Sequence, residues 1–367
     1  MSQSGRCLEI YKPLGDLRDD NMKVVHSEEH LAHHPNQVFL GGRMEACHEV
    51  PARIAAVAEM LAARDLGPII APNDFGLAPV AAVHDAGYLE FLSSVWTEWR
   101  AAGRDTDVMK SDGPSPDMRR ARVPRALDGK VGYYSFDTCA PIGEGTWRAA
   151  LSSAQSALSA QDLIRQGDRA ALALCRPPGH HAGRDYSGGF CFLNNAAIAA
   201  QAFVDAGASR VAILDVDFHH GNGTQSIFYE RSDVFFASLH GEPSDHYPFY
   251  SGFTDERGSG PGEGYNLNVP MPAGTSGDVW LWALAGVCRA INDVGPDAIV
   301  ISLGVDTFEK DPISSFKLRS EDFLRLGGLL AKLARPTVFV MEGGYALDDL
   351  ASNVTNTLIG FEQEGTQ

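Results

Sequence analysis

The chain has 367 residues, 44% apolar and 21% charged, enough for a large buried core and incompatible with global disorder. Lys and Arg number 30 against 47 Asp and Glu; the resulting charge of −17 opposes general attraction to nucleic acid or an anionic membrane and permits a cationic ligand. Cys7, Cys47, Cys139, Cys175, Cys191 and Cys288 form no compact bridge pattern, and no charged leader or uninterrupted apolar span is present, so a cytoplasmic protein without a membrane anchor is expected.

Residues 1–21 mix charge, Gly and Pro and read as an N-terminal extension ahead of a short strand, MKVVHS, at 22–27. VPARIAAVAEMLAARDLG predicts an amphipathic helix: Ile54, Val57 and Leu61 recur at helical spacing, Pro51 sits near its start and Gly67 near its end. GYLEFLSSVWTEWRAAG predicts a second helix whose aromatic residues belong to the core. Residues 103–143 are rich in Arg, Asp, Pro and Gly and read as a loop insertion, either a disordered linker or a structured surface loop. Beyond 144, helical and apolar strand-like segments alternate: TWRAALSSAQSALSAQDLI, AALALC, AAIAAQAFVDAGA, RVAILDVDF, VWLWALAGVCRAINDVG, DAIVISLG, SEDFLRLGGLLAKLA and PTVFVMEGG. That order predicts an α/β fold, one domain over 22–367, with a mostly parallel central sheet flanked by helices.

Chemistry concentrates in DVDFHHGNG, where a chain that stays extended projects Asp215, Asp217 and His219 to one side. Two carboxylates and an imidazole suit Zn²⁺, with Fe²⁺ or Co²⁺ as alternatives, although the same residues also serve as turn and cap groups. Asp306 follows another buried strand, where a charge needs a partner, and is the best third protein ligand. RPPGHHAG offers His180 and His181 for proton transfer, with Asp215 orienting one ring and Asn222 the other; its prolines equally suit a purely structural loop. Tyr345 in MEGGY either completes a buried network or donates to a developing oxyanion, and Phe190 and Tyr247 either line a narrow channel or fill the core. His26, His30, His33 and His34 are assigned local surface or loop roles, since HLAHH lacks the HExxH arrangement.

Together, RPPGHHA, GGFCFLNNAA, DVDFHHGNGTQ, FFASLHG, SLGVDTFEKDP and MEGGYA resemble the histone deacetylase superfamily, especially its bacterial acetylpolyamine amidohydrolases, from about Met22 almost to the end of the chain. The resemblance implies the arginase/deacetylase fold with a tunnel at the sheet's C-terminal edge. It matches Asp217, His219 and Asp306 to the zinc ligands, His180 and His181 to the catalytic pair, and Tyr345 to the transition-state tyrosine. Phe190 and Tyr247 match tunnel positions. Asp215, Asp217, His219, Ser238 and Leu239 match a structural K⁺ site, and Phe228, Arg231 and Val234 a second monovalent site. The implied reaction is zinc-dependent deacetylation of acetylated polyamines or related small alkyl amides, with His180 as the first base and His181 protonating the leaving amine. A homodimer acting on a small cationic acetylated amine is implied, with 103–143 narrowing the tunnel or covering the interface. Val38 and Cys139 occupy rim positions where polyamine enzymes tend to carry carboxylates, with Asp128 or Asp117 as possible substitutes. A broader acyl-lysine or xenobiotic-amide deacylase is therefore the alternative, ahead of an inactive acyl-amine-binding protein.

Overall fold

The computed structural model describes residues 21–115, 118 and 121–365. The extension expected over 1–21 therefore lies outside the described residues apart from Asn21, as do Cys7 and Asp117.

The strands of the main sheet are β1 (Lys23–Val25), β4 (Ile69–Ile70), β5 (Ala170–Ala173), β6 (Val211–Asp215), β7 (Val234–Gly241), β8 (Asn266–Met271), β9 (Ala298–Leu303) and β10 (Thr337–Met341). They form one eight-stranded sheet in the order β4-β1-β5-β10-β9-β6-β7-β8. Every neighbouring pair in it is parallel. The AALA, VAILD, AIVISL and TVFVM strands at its centre are wholly buried, as continuous apolar runs covered on both faces should be. A separate antiparallel hairpin, β2 (Gln37–Leu40) and β3 (Arg43–Ala46), lacked an alternating apolar signature.

Helices α1 (Ala52–Ala63), α3 (Ala86–Ala101), α5 (Thr146–Arg165), α6 (Asn195–Asp205), α8 (Gly277–Val294) and α9 (Ser320–Ala331) occupy the segments expected to be helical. On α8 the buried Trp280, Leu281, Leu284, Val287, Cys288 and Ile291 form one apolar stripe, and Gly295 ends the helix in a left-handed conformation at φ 64°. Shorter helices α2 (Ala78–Ala81), α4 (Leu127–Tyr134) and α7 (Asn222–Phe228), and the C-terminal α10 (Leu347–Gly365), complete the framework. Helix α4 lies inside the 103–143 stretch, so that segment is a structured excursion in its described part. No helix among the described residues is long and apolar enough to cross a membrane. Cys47, Cys139, Cys175, Cys191 and Cys288 are buried and form no disulfide.

The surface role expected for the N-terminal histidines does not hold for two of them. His30 and His33 are buried, because the short 3-10 helix Glu28–Ala32 folds back on α5, where His33 Nδ1 lies 2.9 Å from Thr146 Oγ1.

Four adjacent strands, β5, β10, β9 and β6, deliver the chain segments that carry the chemical groups. Their C-terminal ends open on one edge of the sheet, where ligand crevices of open α/β folds form.

Candidate active site and metal centre

Strand β6 ends at Asp215, so the alternation expected to align Asp215, Asp217 and His219 is not continued. The chain curls instead: Asp215 Oδ1 accepts from the Asp217 amide at 3.2 Å, and Asp217 Oδ1 from the His219 amide at 2.9 Å. From the end of β9, Asp306 reaches across, accepting from the Phe218 amide at 2.8 Å and facing His219 Nδ1 at 2.9 Å. Asp217 Oδ2 accepts from the Gly343 amide after β10 at 2.8 Å. A Cβ at Gly343 would lie 2.4 Å from that oxygen, so glycine allows this close approach.

One donor atom from each of the buried residues Asp217, His219 and Asp306 lies within 4.8 Å of the others. Among the protein groups alone, burial and then the Asp217 charge raise the Asp306 carboxyl to about 8. Burial opposes charge on His219, but its hydrogen bonds to Asp217 and Asp306 prevail and raise it to about 10. The site thus holds protons where carboxylates crowd in a dry setting, and a divalent cation can replace them. Two carboxylates and an imidazole fit a Zn²⁺-like ion, making this a candidate metal centre.

The loop after β5 sets the two remaining imidazoles side by side, their ring centroids 3.9 Å apart and their planes tilted by 42°. His180 Nδ1 lies 3.0 Å from Asp215 Oδ2, and His181 Nδ1 lies 2.7 Å from Asn222 Oδ1. Both pairings match the orienting partners read from the sequence. Burial opposes charge on both rings. For His180 the charges of Asp215 and Asp217 outweigh it and raise the pKa to about 10. For His181 burial is joined by repulsion from His180 and His219, and the ring is held well below its ordinary value.

Glu342, overlooked as a site residue within MEGGY, anchors this loop. Its Oε2 accepts from the amides of Gly179 at 2.7 Å and His180 at 3.2 Å. The signal available was an acid directly after the apolar run VFVM, a costly place for an unpartnered charge. Arg53 on α1 was also missed. Its Nη2 donates to the Glu342 carbonyl at 2.6 Å, its Nε to the Gly344 carbonyl at 2.7 Å, and its guanidinium lies 4.6 Å from the Tyr345 ring centroid. Glu49 Oε1 accepts from Arg53 at 2.9 Å and from Arg176 at 2.8 Å, offsetting charge in a fully buried cluster.

A pocket of about 280 Å³ leads to these groups, with His181, His219 and Tyr345 in its buried wall. Phe190, Tyr247, Leu40, Cys139 and Ile313 form its sides, and the exposed Phe249 and Asp245 lie toward solvent. Phe190 has φ 66°, unusual for a bulky side chain, and is directed against Tyr345 with centroids 5.7 Å apart. Tyr247 donates to Asp137 Oδ2 at 2.7 Å, which also accepts from the Gly189 amide at 2.9 Å. Asp137 was another omission: it sits in the aperiodic 103–143 stretch, where sequence pattern gave no direction.

The rim expectations divide. Cys139 lines the pocket, whereas Val38 is buried behind it in a cluster with Cys47, Phe190 and Tyr345. Asp128 does not supply a free rim charge, because it pairs with Arg104, one bond being 2.7 Å. Ser238 stands opposite Asp215 in the β6–β7 register, with Leu239 next along β7, so three of the residues matched to K⁺ lie beside the end of β6. Phe228 ends α7, Val234 begins β7, and Arg231 lies between them over the Phe228 ring.

The histone deacetylase domain model matches residues 47–360. Acetylpolyamine amidohydrolase 1 of Pseudomonas aeruginosa is 53% identical over 342 residues, covering 93% of this chain and 99% of its own. The acetylpolyamine amidohydrolase of Mycoplana ramosa is 47% identical, covering 92% and 99% respectively. The crystal structure of acetylpolyamine aminohydrolase from Burkholderia pseudomallei superposes with a TM-score of 0.90 at 44% identity, covering 94% of this chain and 99% of that one. With the parallel sheet, the strand-end carboxylates and the paired imidazoles in one arrangement, the chain belongs to the histone deacetylase family, with the arginase/deacetylase fold, and is similar to its acetylpolyamine amidohydrolases.

Proposed function

We propose that this chain is a metal-dependent amide hydrolase that removes acetyl groups from acetylated polyamines. The observation that carries the reading is a narrow pocket with His181, His219 and Tyr345 at its buried end, backed by the Asp217, His219 and Asp306 donor set. Those three residues would hold Zn²⁺, with Fe²⁺ or Co²⁺ as alternatives. Such an ion supplies polarisation of the acyl carbonyl and activation of water. Zinc is favoured by the mixed oxygen and nitrogen donors.

The chain's own groups account for the proton transfers. The sequence reading gave the first proton to His180, but His181 is the imidazole that lines the pocket, and its surroundings keep it neutral. We therefore assign His181 as base and then acid to the leaving amine. His180, held by Asp215 and favoured in its charged form, supplies positive charge beside the reacting carbonyl. Asn222 fixes the His181 ring, and the Tyr345 hydroxyl donates to the developing oxyanion. Phe190 and Tyr247 pack against the acyl group and alkyl stem, while Asp245 at the open end attracts a distal ammonium. Acetate and a free amine leave without a covalent acyl-enzyme.

Asp215, Asp217, His219, Ser238 and Leu239 form the proposed K⁺ site bracing the same loop, partly through carbonyl oxygens. A homodimer contacting through the 103–143 region is part of the proposal, and sedimentation measures it directly. The decisive test is acetate release by metal-quantified protein from acetylputrescine, acetylspermidine, acetyl-lysine peptides and a neutral anilide. Higher kcat/KM for the acetylpolyamines is expected. Equal turnover of peptide and anilide supports the broader deacylase instead, and release from none of them sinks both.

A further inference from the structure

The HSEEH run immediately after β1 takes no part in the pocket. Its two outer histidines and the first of its two glutamates form a separate constellation. Ser27 caps the 3-10 helix Glu28–Ala32 by accepting from the Glu29 amide, and the turn gathers one donor atom each from His26, Glu28 and His30 within 4.8 Å of one another. His26 Nε2 lies 3.5 Å from Glu28 Oε1. Donors roughly 2.0–2.2 Å from a tetrahedral ion are themselves separated by roughly 3.3–3.6 Å, so this pair already has metal-binding spacing. The two imidazole centroids are 5.1 Å apart and tilted, not stacked.

A second observation points to a ligand. His30 is 4% exposed, and its Nδ1 is buried without a hydrogen-bond partner. Buried polar atoms in native proteins are normally paired, so an unpaired ring nitrogen beside two other candidate donors is consistent with a bound ligand. Burial, followed by the charges of His26 and Arg176, lowers His30 to about 4; burial also lowers His26 despite attraction from Glu28. Both rings therefore carry an available lone pair at neutral pH, and protons compete weakly for it. Arg176 donates to the His30 carbonyl and opposes a cation, but the buried Glu49 offsets its charge. Glu28 is exposed, leaving a path from solvent.

We propose that His26, Glu28 and His30 form a second metal site, distinct from the strand-end centre, that takes Zn²⁺ or a similar borderline divalent ion, with solvent completing its coordination. Two neutral imidazoles and one carboxylate are suitable donors for such an ion. The surrounding contacts give the site a bracing role. Ser152 Oγ on α5 donates to Ser27 Oγ at 2.7 Å, and Arg148 on α5 pairs with Glu29 at 2.7 Å. An ion here ties the end of β1 to the segment seated on α5, away from the reacting groups.

The test is isothermal titration of Zn²⁺ into holoenzyme already carrying its first ion, with the metal bound per chain counted after equilibrium dialysis. Wild type is expected to take one further ion and to gain thermal stability with Zn²⁺. Glu28→Gln, at an exposed position, and His26→Ala, whose ring is largely covered, are expected to lose that ion and the stability gain while keeping holoenzyme turnover. Asp306→Asn, which damages the strand-end centre, is expected to retain it; this separates failure of the second site from failure of the functional reading. No further ion in wild type, or undiminished binding in both His26→Ala and Glu28→Gln, overturns the proposal.

Discussion

Tyr345 is held from three directions. Its amide donates to Asp311 Oδ2 at 2.7 Å, Phe190 packs on its ring, and the Arg53 guanidinium lies 4.6 Å from the ring centroid. Arg53 also anchors the carbonyls on either side of Gly343, so the phenol is positioned by groups that do not need its hydroxyl. Tyr345→Phe should therefore keep the ring, the fold and the bound metal, while losing one donor to the oxyanion. Loss of a single such donor typically lowers kcat about 10²–10³-fold. Steady-state kinetics beside metal analysis checks this; wild-type turnover in the variant removes Tyr345 from the mechanism.

Helices α9 and α10 illustrate what an element needs beyond periodicity. A Cβ at Gly327 would meet the Thr357 carbonyl at 1.9 Å, and one at Gly360 the Leu324 carbonyl at 2.0 Å, so the two backbones meet through reciprocal glycines. Gly327→Ala must push the helices apart, with a cost of roughly 1–3 kcal/mol typical of overpacking. Urea unfolding should show a lower midpoint with metal content and KM unchanged; an unchanged midpoint would mean that the helix pair adjusts freely. The central strands were readable because wholly buried parallel strands are continuous apolar runs, and α8 because its stripe repeats at helical spacing. The β2–β3 hairpin and α4 were not, since their mostly exposed or mixed residues carry weak periodicity. At the site, local motifs identified Asp217, His219, His180 and His181. The partnership of Arg53 with residues nearly 300 positions later had no local signature, because topology alone creates it.

For the molecule as a whole, the formal charge says less about acid stability than three buried neutral imidazoles do. Burial is the leading cause that lowers His33, His84 and His240 to about 4 in the fold. The Asn194 amide donates to His84 Nε2 at 2.9 Å, a bond that requires the unprotonated nitrogen. In the unfolded chain each ring titrates near 6.5. Their contribution is complete above that value and falls as pH drops from 6.5 toward 4, because the unfolded state takes up protons that the folded state refuses. At pH 5 the loss is on the order of 2 kcal/mol per ring, from about 1.5 units between pH and unfolded pKa. Urea midpoints measured at pH 7 and pH 5 under saturating metal should therefore fall substantially. His84→Gln, which removes one titrating ring, should reduce the pH dependence even if it lowers stability at pH 7. Equal midpoints at the two pH values would show that these imidazoles accept protons within the fold; an unchanged slope in His84→Gln would locate the acid sensitivity elsewhere.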